Sequence, residues 1–465
     1  MGMTMVHLIC MVLTIAFVLG AGIYAARSVH SAEGYSLGGR SAGGPLIMGS
    51  IAGTCVGGGA TIGTAQLAYT MGLSGWWYTL GTGIALILMG LFYAGPLRKT
   101  ALTTIPEFLS LHYGPRAGRM ASIVSSLGIW FSVVASTLPG IQLIKELFGL
   151  PAPLAAVVLL LLVLSYVFFG GMKSAGIGGI LKMAVIWVSL FLAGGTALYT
   201  LFIAPETRSV LPDFPWYSLL GGGTGTAVSN ALSMIVGIIC TQSYIQAIFS
   251  AANPRTAAAG AFMAALIVLP VGLPCAAMGM YMQTLYPDIN PILAMPLYLF
   301  NVPPAFLGGI AMGGIVLSLV SSIGGLSLGI GTMVSHDLLA PRLKLQDDAK
   351  LLRLNRMAVL GVLVSAAIMA MANEGTQVLF WTYLSMALRG AGIFLPLSLA
   401  VFLPGRFQRG WITASIYAST FVSLAAIVCQ SPVKPLFLGV GCSVLFVLIA
   451  YWQRQKEDPQ IVYNH

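Results

Sequence analysis

The sequence predicts an all-α membrane protein with many spans. Of its 465 residues, 58% are hydrophobic and only 7% are charged, and the mean hydropathy is +0.92. A soluble domain carries about 25% charged residues, so this composition excludes a water-soluble fold. Apolar runs of about 20 residues, the length that crosses a bilayer as a helix, recur along the whole chain.

These runs predict about thirteen transmembrane helices. The first run is followed by no small-residue cleavage pattern, so we interpret it as a retained helix and not as a signal peptide. The predicted spans are 5–26, 44–71, 74–95, 118–145, 152–171, 178–203, 226–250, 258–283, 304–335, 355–373, 377–402, 410–430 and 435–452.

Basic residues mark the ends of the apolar runs and predict the orientation. If the N-terminus lies outside, seventeen of the 22 Lys and Arg residues fall on the cytoplasmic side, and only Lys145, Arg208 and Lys434 fall outside. Cytoplasmic loops carry such an excess of Lys and Arg. We therefore expect a multi-pass protein of the plasma (inner) membrane with a cytoplasmic C-terminus. The net charge of +10 follows from this pattern and does not indicate nucleic-acid binding.

Patterns typical of enzymes, disulfide frameworks and transition-metal sites are missing from the sequence. The six cysteines lie in or beside apolar runs without CxxC spacing, which favours small buried side chains. HExxH and GK[ST] phosphate-loop motifs do not occur. No acidic residue falls near the centre of a predicted span, so a carboxylate relay for protons is not expected. These observations favour a transporter over an enzyme, with a channel as a less favoured class.

Glycines interrupt two of the predicted spans. GTCVGGG occupies 53–59, and LLGGGTGTAVSN at 219–230 leads into GIICTQSYIQAIFSAANP. Three consecutive glycines cost about 2–3 kcal/mol in helix propensity. The alternatives are close helix packing through small residues and a broken helix that frees carbonyls for an ion.

Each interrupted span begins a set of about five spans, which suggests an inverted repeat. We expect an N-terminal extra helix and loop, a first half, a second half, and two C-terminal helices with a tail. The corresponding ranges are 1–43, 44–204, 205–403 and 404–465.

A row of serines marks the ninth predicted span. Ser318, Ser321 and Ser322 follow i, i+3, i+4 spacing, so their hydroxyls share one helix face. The alternatives are hydrogen bonds to carbonyls of the same helix and a binding site for a monovalent cation. With no acid nearby, such a cation would be held by hydroxyls and carbonyls.

Several motifs together resemble the sodium/solute symporter family over nearly the whole chain. They are GYSLGGRSAGG, CVGGGATIGTAQLAYTMG, PLRKTALTTIPEFLSLHYG, TQSYIQAIFSAANP and SLVSSIGGLSLGIGTMVSHDLL. The first glycine-rich segment looks most like the choline-transporter-like branch. The resemblance implies a leucine-transporter-type five-plus-five inverted repeat with an extra N-terminal helix. It also implies sodium-coupled symport of a small organic solute by alternating access.

The resemblance also implies two sets of site residues. Na⁺ would be bound by the carbonyls of Gly53, Val56 and Ser318 and by the hydroxyls of Ser321 and Ser322. The solute would lie between the two broken spans. Its candidate binding residues are Thr54, Gly57, Gly58, Ala60, Trp76, Tyr78, Phe131, Thr241, Gln242 and Arg389.

The chain departs from the family pattern in ways that bear on the ion and the solute. Where the family has an Asp and a Gln on the ion's path, this chain has Gly179 and Lys182. Lys182 either extends to the cytoplasmic surface or places its ammonium at the cation site, which would make transport proton-coupled or sodium-independent. Cys55 and Thr241 replace tryptophans of the choline branch, which weakens an aromatic cage for choline.

Arg389 lies about twelve residues from either end of its predicted span. Its side chain either bonds to helix carbonyls or clamps an anionic group such as a substrate carboxylate.

Overall fold

The computed structural model describes residues 2–26, 32–167, 171–204, 211–344 and 347–457. Within these ranges the chain forms helices and connecting turns and no β-sheet. This confirms the all-α prediction.

Sixteen principal helices form the described part of the fold, numbered here in chain order. They are α1 Met5–Ala26, α2 Gly44–Cys55, α3 Thr64–Met71, α4 Trp77–Leu88, α5 Ile105–Tyr113, α6 Pro115–Phe148, α7 Ala152–Val167, α8 Gly171–Phe202, α9 Thr224–Ile239, α10 Gln242–Ser250, α11 Pro254–Leu285, α12 Ala305–Thr332, α13 Asp348–Met371, α14 Val378–Phe402, α15 Arg409–Val428 and α16 Pro435–Glu457.

Shorter helical segments connect them. They are Ala32–Leu37, Gly38–Arg40, Gly59–Gly63, Gly72–Trp76, Met89–Tyr93, Ala94–Lys99, Asp213–Trp216, Pro291–Leu293, Ala294–Asn301, Met333–Leu339 and Ala340–Leu343.

In the described residues, ten helices are long and apolar enough to span a bilayer, or eleven if the bent pair α9–α10 counts as one span. Two further predicted spans correspond to the short apolar helices Gly44–Cys55 and Ala152–Tyr166. The stretch Gly59–Lys99 counts once by length, although Gly72 turns the chain within it at a φ of 66°. The count of thirteen stays a prediction.

Both interrupted spans are broken helices. The first break follows Cys55, where Val56 has φ −80° and ψ 81° and Gly57 and Gly58 connect to the next helical segment. The second break lies at Cys240 and Thr241, and α9 and α10 meet there at 45°. It does not lie in the glycine run at 221–223, which ends at the residue before α9. A glycine-poor segment therefore makes the second break.

Glycines bring α2 and α8 into backbone contact. A Cβ on Gly53 would lie 2.7 Å from the Cα of Gly179, and a Cβ on Gly179 would collide with the carbonyl oxygen of Gly49. Small residues permit this close approach between membrane helices. Because Lys182 follows Gly179 by about one turn, its side chain begins beside the C-terminal end of α2. Helix α12 packs against both α2 and α8 and closes the other side.

Candidate cation and solute site

The C-terminal end of α2 presents carbonyls that its own helix does not satisfy. The last four carbonyls of an α-helix have no partner within the helix. The turn after α2 supplies donors to two of these carbonyls: Val56 N–H donates to the carbonyl of Ala52, and Gly57 N–H donates to that of Cys55. The oxygens of Gly53, Thr54 and Val56 receive their donors from other helices.

The serine row of α12 supplies three of these donors. The hydroxyl of Ser318 donates to Val56 at 2.5 Å, that of Ser321 to Gly53 at 3.0 Å, and that of Ser322 to Thr54 at 2.6 Å. The row thus bonds across to the broken helix, in contrast to the local back-bonding that an isolated serine would make. Ser321 also has a longer contact of 3.4 Å with the Ser318 carbonyl.

Lys182 supplies a second donor to two of these carbonyls, those of Gly53 and Val56. Its Nζ lies 2.5 Å from the carbonyl oxygen of Gly53, 2.7 Å from that of Val56 and 2.7 Å from the hydroxyl oxygen of Ser321. An ammonium has three N–H donors, so these bonds use all of them. The side chain is 0% exposed, which is inconsistent with snorkelling to the surface. A cation is favoured here because α2 ends with its partial negative charge at this point.

The ammonium and a sodium ion would compete for the same oxygens. Gly53, Val56 and Ser321 belong to the set expected to bind Na⁺, and Lys182 bonds to all three. The residues present fit a sodium ion only after Lys182 has left. We call Lys182, the three serines and the carbonyls of Gly53, Thr54 and Val56 the cation cluster.

A small, largely enclosed cavity adjoins the cation cluster. It offers about 10 Å³ to the centre of a water molecule, which is room for about one water. Thr54 and Ser322 belong both to its wall and to the cation cluster, so the two sites share a boundary. The lining residues are Thr54, Gly57, Gly59, Tyr78, Ser132, Ser136, Tyr244, Ser322, Leu326, Thr382 and Met386.

Sequence reasoning identified part of this wall. Of the predicted solute-binding residues, Thr54, Gly57 and Tyr78 line the cavity. Tyr244 was missed, although its position three residues after the second break was a usable signal. The residues from α6 and α14 carry no comparable signal in the sequence.

Arg389 adjoins the cavity from α14 and is 0% exposed. One Nη donates to the Thr241 hydroxyl at 2.8 Å; the other lies 3.3 Å from Ser132 Oγ and 2.7 Å from Met386 Sδ. Its Nε lies 3.2 Å from the carbonyl of Ser385 in the preceding turn. Thr241, itself predicted as a solute residue, is therefore a bridge between the second break and Arg389.

Two other predicted solute residues have structural partners away from the cavity. The side chain of Gln242 accepts from Ile105 N–H at 2.9 Å and donates to the Thr103 carbonyl at 3.1 Å. The indole of Trp76 donates to the Leu269 carbonyl at 3.0 Å.

The last three predicted solute residues also lie outside the cavity lining. Phe131 stacks on Trp381 with ring centroids 5.8 Å apart. Gly58 faces Pro139, and Ala60 is buried in the segment after the break.

Comparison with known proteins agrees with this architecture. Human high affinity choline transporter 1 is 25% identical over 439 residues, covering 88% of this chain and 75% of that protein. Two solved structures share the fold. A Na⁺-coupled sialic acid symporter in a substrate-bound outward-open state matches with a TM-score of 0.80 at 17% identity, covering 97% of both chains. The nucleobase-cation-symport-1 family transporter Mhp1, in a closed conformation, matches with a TM-score of 0.60 at 13% identity, covering 90% of this chain and 94% of that one.

These neighbours have the leucine-transporter fold, which confirms the fold type implied by the motifs. The protein is a membrane transporter and not an enzyme. The sodium:solute symporter family model matches residues 35–418, and the chain belongs to that family.

Proposed function

We propose that this protein is a secondary active transporter of a small organic solute in which the Lys182 ammonium replaces the coupled sodium ion. The observation that carries the proposal is the set of three short hydrogen bonds from Lys182 Nζ to Gly53, Val56 and Ser321. With N-terminus outside, solute would move inward through the cavity between the two broken spans.

The shared wall offers a physical link between cation and solute. Thr54 receives a hydrogen bond from Ser322, and both residues line the cavity. Any change that separates α2 from α12 breaks this bond together with the bonds from Ser318 and Ser321 to Val56 and Gly53, the carbonyls to which Lys182 also donates. Opening of the cavity and loss of the cation cluster are then one event.

A lysine can also exchange its proton, which gives this site a means of energy coupling. Lysine loses its proton inside proteins far more readily than arginine does. In our proposal Lys182 releases a proton to water on the cytoplasmic side and regains one from water outside. One proton moving down 100 mV supplies about 2.3 kcal/mol, enough to concentrate a neutral solute roughly fifty-fold. A monoanion carried with one proton moves no net charge, so its accumulation would follow the pH difference alone.

Sodium symport is the second candidate, as the family resemblance implied. Its support is family membership and the convergence of Gly53, Val56 and the serine row on one point. It requires Lys182 to leave the cation cluster before Na⁺ binds.

Uptake into proteoliposomes separates the candidates. A panel of labelled solutes (a short carboxylate, an amino acid and choline) would be tested under a sodium gradient, a proton gradient, or neither. We expect saturable uptake that follows the proton gradient and is equal in sodium and potassium buffers. Uptake that requires sodium would favour the second candidate.

Serine variants test the site itself. Ser321→Ala should reduce uptake strongly because it removes one partner of Lys182. Ser327→Ala is the matched control: Ser327 lies on the same helix, is equally buried, and its hydroxyl has no hydrogen-bond partner among the described residues. Equal loss in both variants would assign the effect to α12 packing.

A further inference from the structure

Arg389 is a buried cation with only neutral partners in the described structure. Its hydrogen bonds go to Thr241, Ser132, Ser385 and Met386. The four ion pairs found among the described residues pair Arg40 with Glu33, Lys145 with Glu374, His336 with Asp337 and Lys350 with Asp347. None of them reaches the centre of the protein.

This arrangement is electrostatically expensive. A buried charge costs several kcal/mol unless it is paired, and hydroxyl groups compensate it only in part. The guanidinium keeps its charge in proteins, so it cannot reduce the cost by losing a proton. An anion entering the cavity would supply the missing compensation.

The guanidinium lies directly behind two residues of the cavity wall. The Nη that bonds to Ser132 does so at 3.3 Å, longer than the usual 2.9–3.0 Å. Ser132 and Met386, its two partners, both line the cavity. A carboxylate at this wall could replace the weak serine contact with a charge-assisted bond, which arginine makes well.

The other charges nearby have the same sign. Lys182 bonds to Gly53, next to the cavity residue Thr54, and is likewise surrounded by neutral oxygens. A larger pocket of about 640 Å³ lies on the side predicted to be extracellular, and Lys434 is the one charged residue among the described residues that line it. Cations placed in this way attract anions and repel other cations.

We propose that the transported solute is a small organic anion whose carboxylate pairs with Arg389. This deepens the proposed transport function and rests on it. The cavity beside Tyr78 and Tyr244 has room for about one water, so it must open to admit a solute, and a monocarboxylate of a few heavy atoms requires the least opening. A quaternary ammonium such as choline is repelled by the same guanidinium, so the solute differs in charge from that named for the human relative.

Equilibrium binding to the purified wild-type protein tests this directly. Thermal unfolding would be followed with propionate, with its uncharged isostere propionamide, and with choline. We expect propionate to raise the midpoint in a saturable way and the other two to leave it unchanged. Stabilisation by choline or by propionamide, or no saturable effect of propionate, acetate or lactate, would overturn the proposal.

Variants assign the effect to the guanidinium. Arg389→Gln should weaken propionate binding about tenfold to a hundredfold, the loss of one hydrogen bond to a charged group, and Arg389→Lys should weaken it less. Lys145→Gln, which removes a cation outside the site, should bind propionate as the wild type does. Unchanged affinity in Arg389→Gln would contradict the proposal; if that variant does not fold, the wild-type ligand series decides.

Binding is measured without any gradient, so its failure is distinct from failure of the coupling scheme. If propionate binds but its uptake depends on sodium, the proposal of coupling through Lys182 is rejected and the proposal of an anion site at Arg389 is kept. If choline is taken up and its uptake is driven by protons, coupling through Lys182 is kept and the anion site is rejected.

Discussion

Replacing Lys182 with alanine should convert the cation cluster into a sodium site. The substitution removes three hydrogen bonds from a charged donor, each worth about 1.5–3 kcal/mol. It also removes the cost of burying an ammonium, which is several kcal/mol. The three bonds together are worth about 4.5–9 kcal/mol and the burial cost offsets part of this, so we expect a net destabilisation of a few kcal/mol. The carbonyls keep their serine donors, so we expect the variant to fold.

Sodium should restore much of this loss. An ion that binds only the folded protein at a hundredfold excess over its dissociation constant stabilises it by about 2.7 kcal/mol. For a chain of this length, 1 kcal/mol corresponds to about 1 °C in the unfolding midpoint. Sodium should therefore raise the midpoint of Lys182→Ala by about 3 °C relative to potassium at equal ionic strength, and should not raise that of the wild type.

The matched control is the double variant Lys182→Ala/Ser321→Ala, in which the site has lost an oxygen and the sodium effect should shrink. The reasoning is refuted if sodium stabilises the wild type as much as Lys182→Ala, or if neither responds.

Two further predictions concern the scaffold around the site. Gly179→Val should destabilise the protein by more than about 3 kcal/mol because the valine side chain would collide with the backbone of α2. Gly195→Ala, on the same helix with open space around it, should have little effect on the unfolding midpoint. Similar midpoints for the two variants would contradict the packing argument. Gln242→Leu should lower the free energy of unfolding by about 1–3 kcal/mol because it leaves the buried Ile105 N–H without its partner. The affinity for propionate should stay at the wild-type level. A loss of propionate binding without a loss of stability would show that Gln242 belongs to the solute site.

The cation cluster was predictable to the extent that its signals are local. Helical spacing alone placed Ser318, Ser321 and Ser322 on one face, and the glycine run marked the break near Val56. These depend on residues close in sequence, which is where pattern reasoning is informative.

The destination of the Lys182 side chain was not predictable in this way. A long side chain can extend to the surface or to the interior, and the sequence left both alternatives open. The choice depends on how closely α2 and α8 approach, which is set by Gly49, Gly53, Gly176 and Gly179 from two distant segments.

The second break and the cavity wall show the same limit. The glycine run at 221–223 led us to predict an interruption near the start of the span, whereas the break lies at Cys240 and Thr241. Ser132 and Thr382 come from separate helices and reach the cavity only through tertiary packing.

The most direct test of the central claim is equilibrium binding of radioactive sodium to the purified wild-type protein. If the Lys182 ammonium takes the ion's place, the wild type should show no saturable sodium binding at this site, and Lys182→Ala should bind about one ion per chain. Saturable binding by the wild type that is lost in Ser321→Ala would contradict the claim.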